Sequence, residues 1–226
     1  MTNLITKILI SLFFAGYISI NFAQQDTIKL VKYSPEYQFK EGVYLNFHQV
    51  KENRPIQKSR IATDLNTQSL DFFTELMKKE EFAFYDDFGI KKVLKTEDLW
   101  GYCRKGTLYI NWNENFIRIP FVGNISHFIA NITVYRDRPY DPYYYNSYYN
   151  YPTTDVSNEL KQFLLDFETG KIIEFTTKNL LIILMRDPVL YEEFVNLRKR
   201  KQKKLKFLYV RKYNEKHPLY LPLNNE

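Results

Sequence analysis

The runs Leu108-Tyr109-Ile110-Asn111-Trp112 and Phe128-Ile129-Ala130-Asn131-Ile132-Thr133-Val134, with Ile117 and Ile119 between them, decide how this chain folds. Apolar residues recur at every second position, the period of a strand, whose successive side chains leave opposite faces. Leu108, Ile110 and Trp112 share one face, and Tyr109 and Asn111 the other. In the later run Phe128, Ala130, Ile132 and Val134 form a buried face against a polar one of His127, Asn131 and Thr133. Turn residues separate the runs at Gly106, Asn113-Glu114-Asn115 and Gly123-Asn124. Short alternating strands joined by close turns predict an antiparallel meander over residues 99–135. A further hairpin is expected over 160–175, turning at Glu168-Thr169-Gly170, where glycine supplies the positive φ of a tight turn.

Outside this region the apolar spacing changes. Gly42-Val43-Tyr44-Leu45-Asn46-Phe47 reads as a short strand, and Leu70, Phe73, Leu76 and Met77 recur at helical spacing over 70–79. Residues 180–185 are continuously apolar between Thr177 and Asp187-Pro188, which favours a short buried helix. Asp187 is placed to cap a following helix with Pro188 at its first position, and one long helix is expected over 187–217. Leu190, Phe194, Leu197, Leu205, Leu208 and Tyr209 give it an apolar stripe, and the basic run 198–204 should face solvent. Glu192 and Glu193 near its start and Arg211 and Lys212 near its end suit the helix dipole. His217-Pro218 ends it. The expected class is α+β, an antiparallel, mainly meandering sheet packed against C-terminal helices that include one long basic helix. A barrel with the helix across it is the structural alternative.

Residues 135–152 contain eight tyrosines, three prolines and no aliphatic side chain. Such a segment has nothing to build a core from and is expected to form an exposed, mobile loop between strands. Tyrosines offer amphipathic contact area at low entropic cost, so Tyr143, Tyr144, Tyr145, Tyr148 and Tyr149 are candidate binding residues.

At the N-terminus Lys7 precedes an apolar run of 13 residues, 8–20, and Ala23 offers a cleavage point. The run is too short to span a bilayer and fits a secretory signal over 1–23, leaving 24–226 as one globular domain. Hydrophobic content of 45% supplies a core, and Cys103, alone, can form no internal disulfide. The basic charge is local. Residues 196–226 hold ten basic against two acidic residues, whereas 24–195 hold 21 against 24. That distribution argues against nucleic acid as a partner and makes Arg198, Lys199, Arg200 and Lys201 candidate contacts to an anionic envelope surface; another envelope protein is the other partner considered.

No motif specifies a reaction. His48, His127 and His217 lack metal-ligand spacing, and no cofactor is expected. His127 beside Ser126, and Cys103 with a distant histidine, are the weak nucleophilic candidates. Asp86-Asp87 and Glu97-Asp98 are carboxylate pairs, but adjacent residues point in different directions, which ill suits two-carboxylate hydrolysis. The expectation is a noncatalytic envelope binding protein located in the periplasm, at the outer membrane or outside the cell. The alternative is an exported hydrolase with a site near His127 or Cys103.

Phe39-Lys40-Glu41-Gly42-Val43-Tyr44, Asp98-Leu99-Trp100-Gly101-Tyr102, Ile125-Ser126-His127-Phe128, Asp166-Phe167-Glu168-Thr169-Gly170 and Tyr213-Asn214-Glu215-Lys216-His217-Pro218 together resemble an uncharacterised family of exported, signal-peptide-bearing proteins of Gram-negative bacteria. The resemblance implies an envelope location and one domain. That family has no assigned activity, so no site residue carries over.

Overall fold

The computed structural model describes residues 29–113, 115–137 and 154–223. Residues 1–23, read from sequence as a secretory signal, and the five candidate tyrosines lie outside these residues. In chain order the described elements are β1 (Leu30–Lys32), β2 (Gly42–Tyr44), α1 (Phe47–Glu52), α2 (Phe72–Leu76), β3 (Glu81–Tyr85), β4 (Lys91–Lys95), β5 (Gly101–Arg104), β6 (Thr107–Trp112), β7 (Asn115–Arg118), β8 (Ile125–Asp137), β9 (Thr154–Asp166), β10 (Ile172–Glu174), α3 (Thr177–Leu184), α4 (Pro188–Val195), α5 (Lys199–Lys216) and β11 (Tyr220–Pro222). The class is α+β. The strands form four antiparallel sheets, ordered β2-β5-β6-β7, β10-β9-β8, β3-β4 and β1-β11, and none closes, which removes the barrel alternative.

The expected meander is present as β5-β6-β7, with β2 added beside β5. Arg104 pairs with Thr107 across a two-residue turn in which Lys105 and Gly106 both take positive φ, the conformation that matches strand twist in a tight hairpin. Gly101 is required for a different reason: a Cβ there would lie 2.0 Å from the Tyr109 carbonyl oxygen. Both faces of this sheet are covered. Tyr44, Cys103, Leu108 and Ile110 pack with Phe128, Phe163 and Leu165 from β8 and β9. Val43 and Tyr102 pack on the other side with Phe72, Phe73 and Leu76 from α2 and Phe82 and Phe84 from β3. Tyr109 therefore does not face solvent as half of a polar face; its ring stacks on Tyr102 at 4.7 Å.

The meander stops short of β8, contrary to expectation. After Ile119-Pro120 the chain doubles back, with the His127 N–H donating to the Phe121 carbonyl and the Ser126 hydroxyl closing on Gly123. β8 then pairs with β9 over 13 residues, and β10 adds to the base of β9 through the turn expected at Glu168-Thr169-Gly170. Strand continues to Asp137, so the first three residues of the expected tyrosine-rich loop belong to β8. The face bearing His127 is not polar at its base, because Ile125 and Leu164 are covered by Phe175, Leu180, Leu184, Phe194 and Tyr213. Farther along the same face Ile129, Tyr135, Val156 and Leu160 are exposed.

The helical expectations need three corrections. Phe47 begins α1, capped by the Asn46 side chain, rather than ending a strand. The helix expected over 70–79 contracts to α2, leaving Leu70 exposed. The long helix expected over 187–217 is two helices. Asp187 caps α4 with Pro188 in its first turn as predicted, but α4 ends at Val195 and α5 begins at Lys199. The break is held by Gln202, buried, whose Nε2 donates to the Phe194 and Val195 carbonyls at 3.1 and 3.2 Å. The Phe194 carbonyl keeps one backbone donor at the break, the Leu197 N–H at 3.2 Å, whereas the Val195 carbonyl depends on Gln202, and an unpaired carbonyl there would be costly.

Candidate functional site

α5 has two chemically different sides. Gln202, Tyr209, Val210 and Tyr213 are buried, while Leu208, assigned to the apolar stripe by sequence, is exposed. Three cations of α5 are engaged by the rest of the fold. Lys206 donates to the Phe175 carbonyl and lies 4.3 Å over its ring, Lys212 meets Glu193 at 2.7 Å, and Lys216 meets Asp187 at 2.7 Å. Asn214 fixes the helix to the sheet by accepting from the Ile125 N–H at 2.7 Å and donating to the Ile125 carbonyl at 2.8 Å. Alongside, Arg186 reaches back to Asp166 in the β9–β10 turn. Burial pushes the Asp166 carboxyl up, but the Arg186 guanidinium and the Thr169 hydroxyl outweigh it and hold it below the usual range.

Outward cations are different. Arg198, Lys199, Arg200, Lys201, Lys203, Lys204 and Arg211 are exposed and make no ion pair among the described residues. Arg200, Lys204, Leu208 and Arg211 recur at helical spacing and so share one face, with Phe207 at its margin. Leu208 is 42% exposed and Phe207 49%, the latter with its ring against His127 and Phe175. Because the helix breaks at 196–198, Arg198 becomes the N-cap residue of α5 and Lys199, Arg200 and Lys201 fall in its first turn, where no side chain caps and no acidic residue stands. Cations there oppose the positive end of the helix dipole, at a cost of roughly 0.3–1 kcal/mol each when unscreened. Glu192 and Glu193, expected near a helix start, stand instead in the last turn of α4, so the dipole argument drawn from an unbroken helix fails for them.

The residues considered for catalysis are dispersed. Cys103 is fully buried on β5, its thiol directed to the Phe39 carbonyl, and burial pushes its pKa up to about 12. His127 is buried on β8 between the rings of Phe175 and Phe207, with Nε2 unpartnered among the described residues, and desolvation lowers its pKa. Asp86 accepts from the Phe88 and Ile90 N–H groups, Asp87 pairs with Arg60, and Glu97 with Lys95, so these carboxylates close turns and balance charge. A groove of about 530 Å³ between α2, the β3-β4 hairpin and β7 is lined by Met77, Lys79, Lys95, Thr96, Asn111 and Phe116, with neither Cys103 nor His127 on its walls. Among the described residues no three His, Cys, Asp or Glu side chains gather as metal ligands. No described helix is long and apolar enough to cross a membrane.

No protein family, curated protein or solved structure matches the chain. The site therefore rests on its own geometry. Arg198, Lys199, Arg200 and Lys201 stand together on one turn, as their adjacency implies. Phe207, Leu208 and Arg211 complete the outward face and were missed. The signal for them was Gln202, whose burial sets the phase of the helix and turns Leu208 outward.

Proposed function

We propose that this chain is an exported, noncatalytic protein of the cell envelope that binds an anionic surface through the outward face of α5. The observation that carries the reading is the division of cations on that helix: Lys206, Lys212 and Lys216 are engaged by groups of the fold, whereas 198–201, 203, 204 and 211 are exposed and make no ion pair among the described residues. The position of Arg198, Lys199, Arg200 and Lys201 at the N-terminal end of α5 disfavours the helix, so helix stability does not account for these four. Leu208 and the edge of Phe207 add apolar contact among the charges, the mixture found in helices that lie along a membrane interface. Export is supported by Lys7, the apolar run 8–20 and Ala23, and by the family resemblance.

Binding of the mature chain to vesicles containing phosphatidylglycerol tests the reading. Replacing Arg198, Lys199, Arg200 and Lys201 with Gln should weaken binding by roughly two to three orders of magnitude, at ~1 kcal/mol per cation near an anionic membrane. Added salt should weaken wild type in the same way. A wild-type chain that ignores such vesicles at low ionic strength overturns the proposal.

A further inference from the structure

The β3-β4 hairpin ends in an unusual group of side chains. Phe88 at its tip is 90% exposed, Ile90 54% and Tyr85 44%. The stalk beneath them is firmly built. Phe82 and Phe84 are buried against the α2 core, five residue pairs join the two strands, and the Ala62 N–H extends the sheet by donating to the Ala83 carbonyl at 2.9 Å. The tip is equally ordered. The Asp86 N–H donates to the Ile90 carbonyl, the Gly89 N–H to the Asp86 carbonyl, and one Asp86 carboxylate oxygen accepts from the Phe88 and Ile90 N–H groups at 3.0 and 2.9 Å.

We infer that this tip inserts into the interface of an anionic phospholipid bilayer. Three observations support that occupant. First, four of the five N–H groups of residues 86–90 are satisfied within the loop, that of Asp87 being the exception among the described residues, so moving the tip out of water strands few donors; each unsatisfied group would make entry costlier. Second, the acidic charges of the tip are balanced locally, Asp86 by those N–H groups and by Lys92 at 3.9 Å, and Asp87 by Arg60 at 2.7 Å. Third, exposed Lys91 and Lys92 stand one or two residues behind Ile90, roughly 3–7 Å at ~3.3 Å per residue, and project from opposite faces of the strand. Apolar side chains ahead of a two-sided cationic collar match the order of acyl chain and phosphate met on entering a bilayer. The inference extends the α5 proposal by naming the surface as a bilayer, and it rests on different residues.

Because Cys103 is fully buried, a Phe88→Cys variant of the mature chain can carry one polarity-sensitive fluorophore at position 88. With vesicles of phosphatidylethanolamine and phosphatidylglycerol, its emission should shift to the blue and be quenched by nitroxides placed on the acyl chains. Phe88→Ser should reduce vesicle partitioning by ~10–100-fold, the range expected for losing one buried phenyl group, and Ile90→Ser by less. Neither touches the core, so unfolding midpoints should stay unchanged. The labelled chain carrying the four Gln replacements on α5 separates the two readings. Acyl-chain quenching that survives in that variant supports insertion independently of α5. Vesicle binding with the label still in water overturns insertion and leaves α5 standing. A concentration-dependent dimer that Phe88→Ser abolishes, without insertion, overturns it in favour of a second copy.

Discussion

Asp187 and His217, thirty residues apart, meet at 2.7 Å between His217 Nε2 and one carboxylate oxygen, while the other oxygen takes the Leu190 N–H and the Lys216 ammonium. One carboxylate thereby starts α4 and holds the end of α5. The Lys216 hydrogen bond, with His217 and the Leu190 N–H, outweighs burial and keeps the Asp187 carboxyl well below its ordinary value of 3.8. A depressed pKa adds stability that is present above the unfolded value and lost as pH falls below it.

Asp187→Asn should therefore be less stable than wild type near pH 7, with the gap closing as pH drops below about 4. Thermal melts of both chains across that range check it. A gap that persists unchanged at about pH 2.5 would mean that the defect is one of shape, and the linkage account would fail.

Gln202→Ala should destabilise the fold by about 1–3 kcal/mol, because it leaves the Val195 carbonyl unpaired at the helix break and removes one of the two donors to the Phe194 carbonyl. Chemical denaturation measures the loss. Should the variant match wild type, something other than this amide holds the break.

Two glycines should respond differently to alanine. At Gly101 the new Cβ meets the Tyr109 carbonyl at 2.0 Å, so Gly101→Ala should cost about 3 kcal/mol or more or prevent folding. Gly89 has open space around it but takes φ +75°, so Gly89→Ala should cost only about 1–2 kcal/mol. Equal losses in the two variants would refute the steric account.

Cys103 should resist thiol reagents in the native chain at neutral pH and react only on unfolding, since it is buried and its pKa stands near 12. Rapid labelling of the folded protein would reopen it as a nucleophile.

What sequence reading could and could not reach follows from how each element is covered. The strands of 101–118 were legible because their side chains alternate between two environments. The β3-β4 hairpin was not, since every residue of β4 is exposed and Lys91-Lys92-Val93-Leu94-Lys95 carries no alternation for burial to impose. The break between α4 and α5 was hidden because Leu197 and Leu205, eight residues apart, keep the phase of one continuous helix. At the candidate site the cations at 198–201 were evident from charge alone. The outward placement of Leu208 depended on a buried glutamine, which an apolar stripe drawn through leucines passes over.

β1 and β11 pair Leu30 with Pro222 and Lys32 with Tyr220, extended by hydrogen bonds from Tyr33 to Leu219 and from Leu223 to Lys29. The first and last strands of the described chain are thus each other's only sheet partners. A nascent chain, whether leaving a ribosome or threading a translocation pore, holds β1 through all the residues that separate it from β11 before β11 exists to receive it. Closure of so long a loop is slow relative to local hairpins, so the β5-β6-β7 strands can order early while both ends wait. The fold is sealed only once residue 223 has been made, so the strand that emerges first among the described ones is one of the last to find its partner.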